Sequence, residues 1–364
     1  MLKPTYAIPA LPLEAEIETV PVLKALARAS RALADLKGQA KTIPNQGILI
    51  DTLALQEAKA SSEVENIVTT QDELFQAVVF PDDPQSPAAK EVALYRDALR
   101  LGYARLGETG GLIPNSALID MFRLLKGRSD GFRATPGTAL KNEQTGEIVF
   151  VPPQDARDIV SHMTALERFI NDDDLSDLDP LIKMALIHHQ FESIHPFPDG
   201  NGRIGRILNV LYLTRTGLLD IPVLYLSRFM TRNKADYYRH LQAVRDTGDW
   251  EVWVIYMLEA VAETSATTVE IVTGIRQQMA DVKHRLRDEL PKIYSQELLN
   301  NLFRHPYTRI EYLQNDLDVS RQTAAKYLDA LAEHGFVEKH RSGKNNYFIN
   351  VALVKLFLDV SGGP

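Results

Sequence analysis

The chain has 364 residues, 45% of them hydrophobic and 24% charged, so it can bury real cores and has room for two or three domains. A formal net charge of −8 argues against attraction of the whole molecule to nucleic acid or acidic membrane, though a local basic patch stays open. The absence of cysteine excludes disulfides, thiolate nucleophiles and Cys-ligated zinc, and is compatible with a cytoplasmic setting.

Met1 to Glu18 is broken by Pro4, Pro9 and Pro12 and turns acidic, which suits an extended arm and not a signal peptide. From Thr19 to Leu36 the residues Val20, Leu23, Leu26, Ala27 and Leu33 recur at helical spacing. Thr19 suits the N-cap, Pro21 is tolerated in the first turn, and Gly38 is the expected stop. After the turn Pro44-Asn45-Gln46-Gly47, helical patterning runs from Ile48 through Ile67. Ser61 and Glu65 are four apart in it and so share one face, which by itself reads as a solvated helix end.

Asp82 to Pro87 reads as a loop, then helices are expected over Ala89–Leu106 and Ala117–Leu125. Thr138 to Val151 alternates around Gln144-Thr145-Gly146, a hairpin signal ended by Pro152 and Pro153. Asp179 and Pro180 are a helix start, with Asp as N-cap and Pro in the first turn. His188 and His189 follow. Adjacent helical positions point apart, so they suit packing or hydrogen bonding better than a shared metal.

Two apolar runs, Leu181–Ile194 and Ile204–Leu213, flank the stretch from His195 to Arg206. Two buried helices joined by a loop are therefore expected. In that loop Gly200, Asn201 and Gly202 tolerate unusual backbone angles, so consecutive amides can form an anion nest. A helix starting near Arg203 adds its positive end and free N–H groups. Arg203 and Arg206 are three apart on one face and can fork onto phosphate oxygens. Asp199 beside the nest could hold Mg2+ bridging phosphates. His195 has the ordinary pKa range of a general base.

His195, Phe197, Asp199, Gly200, Asn201, Gly202, Arg203 and Arg206 fill every fixed position of HxFx[D/E]GNGRxxR, and the chain therefore resembles the Fic family. The resemblance implies transfer of AMP from ATP to a hydroxyl side chain of a protein, the chain itself included. His195 would deprotonate the hydroxyl and Asp199 would coordinate Mg2+. The implied ATP site comprises Glu65, Asp199, Gly200, Asn201, Gly202, Arg203, Ile204, Gly205 and Arg206. Tyr238 and Leu241, in a YYxxL pattern on the helix expected over Asn233–Val244, would meet adenine. The hairpin would be the family's flap, with Val149, Phe150 and Val151 pairing an extended segment of the target. Ser61 to Asn66 matches the family's inhibitory pattern [S/T]xxxE[G/N], so Glu65 would pair with Arg206 and deny it to the γ-phosphate. The text from Ala27 to Thr70 is similar to the same region of the SoFic type of bacterial protein adenylyltransferase.

Trp250 and Trp253 are expected to pack the last helix of the catalytic domain. Val252 to Val261 is the most apolar stretch but is short and carries Glu259, so no membrane span is expected. Gln277–Asp288 reads as a helical connector. Helices over Glu297–Phe303, Arg309–Leu317 and Ser320–His334, then alternation over Phe336–Asn350 around Ser342-Gly343-Lys344, follow the winged helix-turn-helix pattern. Arg321, Gln322 and Lys326, with Lys339, Arg341 and Lys344, would suit DNA, while Asp329, Glu333 and Glu338 dilute the patch. Dimerisation, giving a homodimer, and protein docking are the other uses of such a module.

The expected fold is mainly α: a Fic (fido) helical core with a β-hairpin flap, plus a C-terminal winged helix-turn-helix domain. The expected division is 1–112 for an N-terminal region with the inhibitory helix, 113–262 for the Fic domain, 263–292 for the connector and 293–364 for the winged helix. Two other readings stand beside AMP transfer. One is a transcription regulator with a nucleotide-sensing core. The other is a different transfer, or AMP removal, at the same site.

Overall fold

The computed structural model describes residues 4–80, 86–141, 145–342 and 345–361. Most of the expected 82–87 loop, the hairpin residue Gln144 and the wing residues Gly343 and Lys344 lie outside the described residues. Two compact units are present. The first holds Met1–Ala34, Glu57–Val68 and Leu94–Ser265, and the second holds Asp35–Gln56, Thr69–Ala93 and Ala266–Pro364.

In chain order the helices are α1 (Val20–Ala40), α2 (Gly47–Val64), α3 (Gln71–Val79), α4 (Pro87–Glu108), α5 (Asn115–Lys126), α6 (Ala156–Asn171), α7 (Pro180–Ile194), α8 (Asn201–Arg215), α9 (Leu226–Arg232), α10 (Lys234–Thr247), α11 (Trp250–Glu289), α12 (Gln296–Arg304), α13 (Ile310–Leu317), α14 (Arg321–Glu333) and α15 (Val351–Ser361). The strands are β1 (Leu140–Lys141), β2 (Ile148–Phe150), β3 (Tyr307–Thr308), β4 (Glu338–Ser342) and β5 (Asn345–Ile349). Helix α1 overruns the expected stop at Gly38 and continues to Ala40. Glycine in a helix costs about 1 kcal/mol, which the burial of Leu36 and Ala40 offsets. Helix α11 is unbroken for 40 residues, where the sequence suggested a packed helix followed by a separate connector.

In the first unit, α7 and α8 are the centre. Asp179 caps α7 by accepting from the Leu181 N–H at 2.8 Å, and Pro180 opens it. Every residue from Leu181 to Ile194 is then buried. A helix buried on every face needs neighbours on all sides, and its polar side chains need partners there. Helix α8 is buried almost as completely. Asp155 caps α6, and Gly127 ends α5 in the left-handed region. The β1–β2 hairpin pairs Leu140 with Phe150 and Lys141 with Ile148. Gln154 closes its base, accepting from the Gly137 N–H and donating to the Thr138 carbonyl.

In the second unit β3 lies between α12 and α13, β4 and β5 follow α14, and the three strands form an antiparallel sheet in the order β3-β5-β4. Ser295 and Ser320 cap α12 and α14, and Asp318 makes the tight turn with φ 51°. Helix α3, with a Thr70/Glu73 capping box, belongs to this unit. Phe75 stacks on Tyr307 at 4.7 Å, and the Tyr307 hydroxyl donates to Asp72 at 2.8 Å. The ion pair Asp51–Arg304, at 2.5 Å, adds residues of α2 to the same unit.

Candidate active site

Helix α7 ends because His195 takes a left-handed conformation, φ 50°, with its N–H bonded to the Phe191 carbonyl. A non-glycine residue in that region is uncommon and is held there by its surroundings. Arg133 supplies much of the restraint. Its Nε donates to the His195 carbonyl at 2.8 Å, and its Nη2 to the carbonyls of Ile194 and Pro153. Its own N–H donates to the Pro196 carbonyl. The loop is pinned a second time by Asn201, whose side-chain amide exchanges two 2.8 Å bonds with the backbone of Phe197. Phe197 is buried and stacks on Phe122 at 4.4 Å.

Gly200, at φ 75°, starts α8 with a backbone that L side chains avoid. A Cβ on Gly202 would come within 2.7 Å of the Glu65 carboxylate, so glycine there admits Glu65. A Cβ on Gly205 would meet Glu192 at 2.8 Å and Phe191 at 3.1 Å, so Gly205 lets α8 approach α7. Ile204 is fully buried. Of the residues expected around ATP, Ile204 and Gly205 thus turn their side faces into the helix pair.

Arg203 and Arg206 are each 1% exposed. The Glu65 carboxylate bridges them, Oε2 to Arg203 Nε at 2.8 Å and Oε1 to Arg206 Nη2 at 3.1 Å. The sequence suggested a pair with Arg206 alone. The three-residue spacing puts both guanidinium groups on one face, so a single carboxylate meets both. Ser61 completes the contact, its hydroxyl accepting from Arg206 Nε and its carbonyl from Nη2, both at 2.7 Å. Burial works against the charge on Arg206, but Glu65 and its other neighbours raise its pKa above the ordinary value.

Helix α2 reaches this site through anchors the sequence did not reveal. Glu57, one turn before Ser61, is buried and accepts from the Tyr95 hydroxyl at 3.1 Å and from the hydroxyl and N–H of Ser227. Burial pushes its carboxyl up to about 7. The Thr231 hydroxyl donates to the Ala60 carbonyl, and Lys234 donates to the Asn66 side chain at 2.7 Å. Asn66 itself, at φ 60°, takes the left-handed position that ends α2.

His195 keeps part of its surface open, yet its imidazole is pulled down to about 3, first by burial and then by Arg133 and Arg245. It is therefore neutral at neutral pH. Glu192, buried one turn earlier, is pushed up to about 7 by burial. Arg245 is buried too. Its guanidinium lies 3.7 Å over the Phe150 ring, and its Nε donates to the Ser193 hydroxyl. Arg133, Glu192 and Arg245 looked ordinary in sequence, and only burial sets them apart.

Val149 is 45% exposed on the hairpin, whereas Phe150 and Val151 are buried. Tyr238 is also exposed, and Leu241 turns its side chain into the core. His188 bonds the Tyr237 hydroxyl and Asn209, and His189 bonds the Leu241 carbonyl, as expected of packing residues. Asp199 holds Lys126 at 2.6 Å and the Gly200 N–H at 2.7 Å. Burial would raise its pKa, but Lys126 and its other partners bring it below the usual value. No cluster of three or more metal-ligating side chains occurs among the described residues. The Asp199 carboxylate is a hard oxygen donor of the kind Mg2+ takes, and in this structure Lys126 is paired with it.

In the second unit Arg321 and Lys326 are exposed on α14. Arg321 is already paired with Glu311 at 2.5 Å, and Lys339 with Asp329 at 2.7 Å. Those carboxylates reduce the positive field of the expected DNA patch. No helix among the described residues is long and apolar enough to cross a membrane.

A buried helix pair ending in a pinned, glycine-rich loop, with two arginines behind it, defines a Fic-type helical core. Residues 23–119 match the profile described as Fic/DOC family N-terminal, and residues 115–213 the Fic/DOC family profile. Residues 278–353 match the profile described as Protein adenylyltransferase SoFic-like, C-terminal domain. Together these profiles span more than half of the chain, and the chain belongs to the Fic/DOC family. Protein adenylyltransferase fic-1 of Caenorhabditis elegans is 28% identical over 125 residues, 34% of this chain and 22% of that protein. Protein adenylyltransferase Fic of Drosophila erecta is 27% identical over 129 residues, 35% and 24% respectively. The match thus spans about a quarter of the length of these relatives. A Fic family protein from Desulfovibrio desulfuricans superposes with a TM-score of 0.56 at 20% identity, covering 96% of this chain and 98% of that one. The C. elegans Fic-1 structure gives 0.55 at 20% identity, covering 71% and 75%. At such identities the likeness is one of fold.

Proposed function

We propose that the chain transfers AMP from ATP to hydroxyl side chains of proteins and that Glu65 holds this activity down. The observation that carries the reading is the Glu65 carboxylate lying across Arg203 and Arg206, behind a helix N-terminus able to receive phosphate. A triphosphate would take the place of that carboxylate. The N–H groups of Asn201, Gly202 and Arg203 open α8 and would meet its α- and β-phosphates. The two guanidinium groups would fork onto the β- and γ-phosphates.

Neutral His195 would accept the proton of the acceptor hydroxyl. That oxygen bonds to the α-phosphorus, the bond to the bridging oxygen of the β-phosphate breaks, and diphosphate leaves with the electron pair. Asp199 would hold Mg2+, which offsets phosphate charge when bound. Exposed Tyr238 would flank the base. With Glu65 across both arginines the γ-phosphate lacks its site, and the α-phosphorus is not held in line with the incoming oxygen.

The test is mass spectrometry of the full chain incubated with ATP and Mg2+, alone and in lysate. The expected product is a protein hydroxyl carrying AMP, labelled from α-labelled and not from γ-labelled ATP. A γ-derived label would replace this reading with phosphate transfer.

A further inference from the structure

The amino-terminal arm makes a contact that none of the roles above uses. The Thr5 N–H donates to the Val151 carbonyl at 3.1 Å, and the Val151 N–H donates to the Thr5 hydroxyl at 3.1 Å. Both backbone groups of Val151 are thereby taken. In the flap strand, Ile148 and Phe150 pair with β1, so alternation turns Val149 and Val151 to the opposite edge. Such an edge is a template for an added strand. The arm is fastened further on as well. Tyr6 meets the His189 ring edge-on at 6.1 Å, and Gln190 donates to the Pro9 carbonyl at 2.9 Å.

This edge adjoins the reacting residue. One guanidinium, Arg133, bonds both the Pro153 carbonyl, two residues beyond Val151, and the His195 carbonyl. Arg245 likewise joins Phe150 to Ser193. A peptide laid along Val149–Val151 is therefore held next to His195.

We propose that residues 4–9 are a resident peptide on the flap edge, which an extended, hydroxyl-bearing segment of an acceptor protein must displace. The inference rests on the protein-modifying reading above. Thr5 holds the edge while its hydroxyl oxygen is engaged by the Val151 N–H. The arm is a restraint separate from Glu65, because it blocks the acceptor and not the nucleotide. A short tether gives an effective concentration in the millimolar range, so an arm of roughly 0.1 mM intrinsic affinity fills the edge about ten to one.

The experiment compares the full chain with Thr5→Pro, which lacks both the N–H and the hydroxyl, and with the milder Thr5→Ala. Thr5 is exposed, so neither change disturbs a core. Amide exchange at Val151 and binding of a fluorescent synthetic peptide copying residues 4–10 are measured. Val151 should lose protection in both variants, and the peptide should bind Thr5→Pro about tenfold more tightly than the parent. Equal Val151 exchange in all three proteins, or equal peptide affinity, would overturn the proposal. Neither readout needs nucleotide transfer. A chain that moves no AMP would sink the proposed function, and these two measurements would still decide the fate of the arm.

Discussion

Arg203 and Arg206 meet Glu65 with 1% of their side chains exposed, whereas Arg321 meets Glu311 with 64% and 42% exposed. Both contacts join arginine to glutamate, and the exposed one is the shorter. The exposed pair is screened by water and salt, and pairs of that kind are typically worth about 0–1 kcal/mol. The buried set cannot be judged by distance alone. Removing one member leaves charges without a partner in a poorly solvated place, which typically costs about 3–5 kcal/mol. Burial therefore decides where a charged ligand has most to gain. A triphosphate that replaced Glu65 would meet two guanidinium groups already stripped of water. Phosphate arriving at Arg321 would have to compete with Glu311 and with solvent.

The sharpest way to break this contrast is His195→Ala, made in a Glu65→Gly background. AMP transfer should fall about 100- to 10,000-fold while ATP binding by calorimetry is retained. Unchanged incorporation of α-label would remove His195 from the role of base.

Glu65→Gly alone should raise the initial rate of transfer. Competition worth on the order of 2–3 kcal/mol corresponds to roughly 30- to 150-fold more of the productive ATP pose. Arg206→Ala in the same background should cancel the gain. Thermal unfolding adds a second reading. Without ATP the variant should unfold several degrees below the parent, because two buried arginines lose their carboxylate, and ATP should raise its Tm more than it raises the parent's. A parent and variant equal in rate and in ATP-dependent Tm would leave Ser61–Asn66 as an ordinary helix end.

A third prediction concerns the other buried acids. Burial raises Glu57 and Glu192 from 4.5 to about 7. Between those values the folded chain keeps protons that the unfolded chain has lost. Their contribution is therefore complete below about pH 4.5 and lost as the pH rises through 7. Stability measured by urea unfolding should fall from pH 5 to pH 8, by on the order of a few kcal/mol for the two groups together. Glu57→Gln and Glu192→Gln should each flatten that slope, and an unchanged slope in both would show that neither acid is protonated in the fold. Because His195 is already neutral, the rate profile of the Glu65→Gly chain should lack an inflection near 6.5 from that group.

The smallest effect is expected on the exposed side of the comparison. Arg321→Ala with Lys326→Ala should change stability by less than about 1 kcal/mol and leave AMP transfer untouched. If the parent binds duplex DNA, the double variant should weaken that binding and reduce its salt dependence. A parent with no salt-sensitive DNA affinity would assign α14 to another use.

Local rules sufficed for much of this chain. The Asp179–Pro180 start of α7, the apolar runs of α7 and α8 and the glycine-rich loop between them follow from capping, periodicity and backbone permissiveness. The order of His195, Asp199, Arg203 and Arg206 carried the family resemblance, and the spacing of Ser61 and Glu65 put them on one face. These features are short in range, so a reader of the sequence has every interacting partner in view. What the sequence could not supply depends on distant residues and on solvent. Gly38 looked like a helix stop and Gln277–Asp288 like a connector of its own, but α1 runs on to Ala40 and α11 is continuous from Trp250 to Glu289. Nothing local shows that residues 69–93 share a compact unit with the C-terminal region, because the Phe75–Tyr307 stack joins positions far apart in the chain. Nor does the sequence distinguish Glu57, Glu192, Arg133 or Arg245 from the acids and bases of the surface. Their protonation and the neutrality of His195 are properties of burial, and burial exists only once the helices have packed.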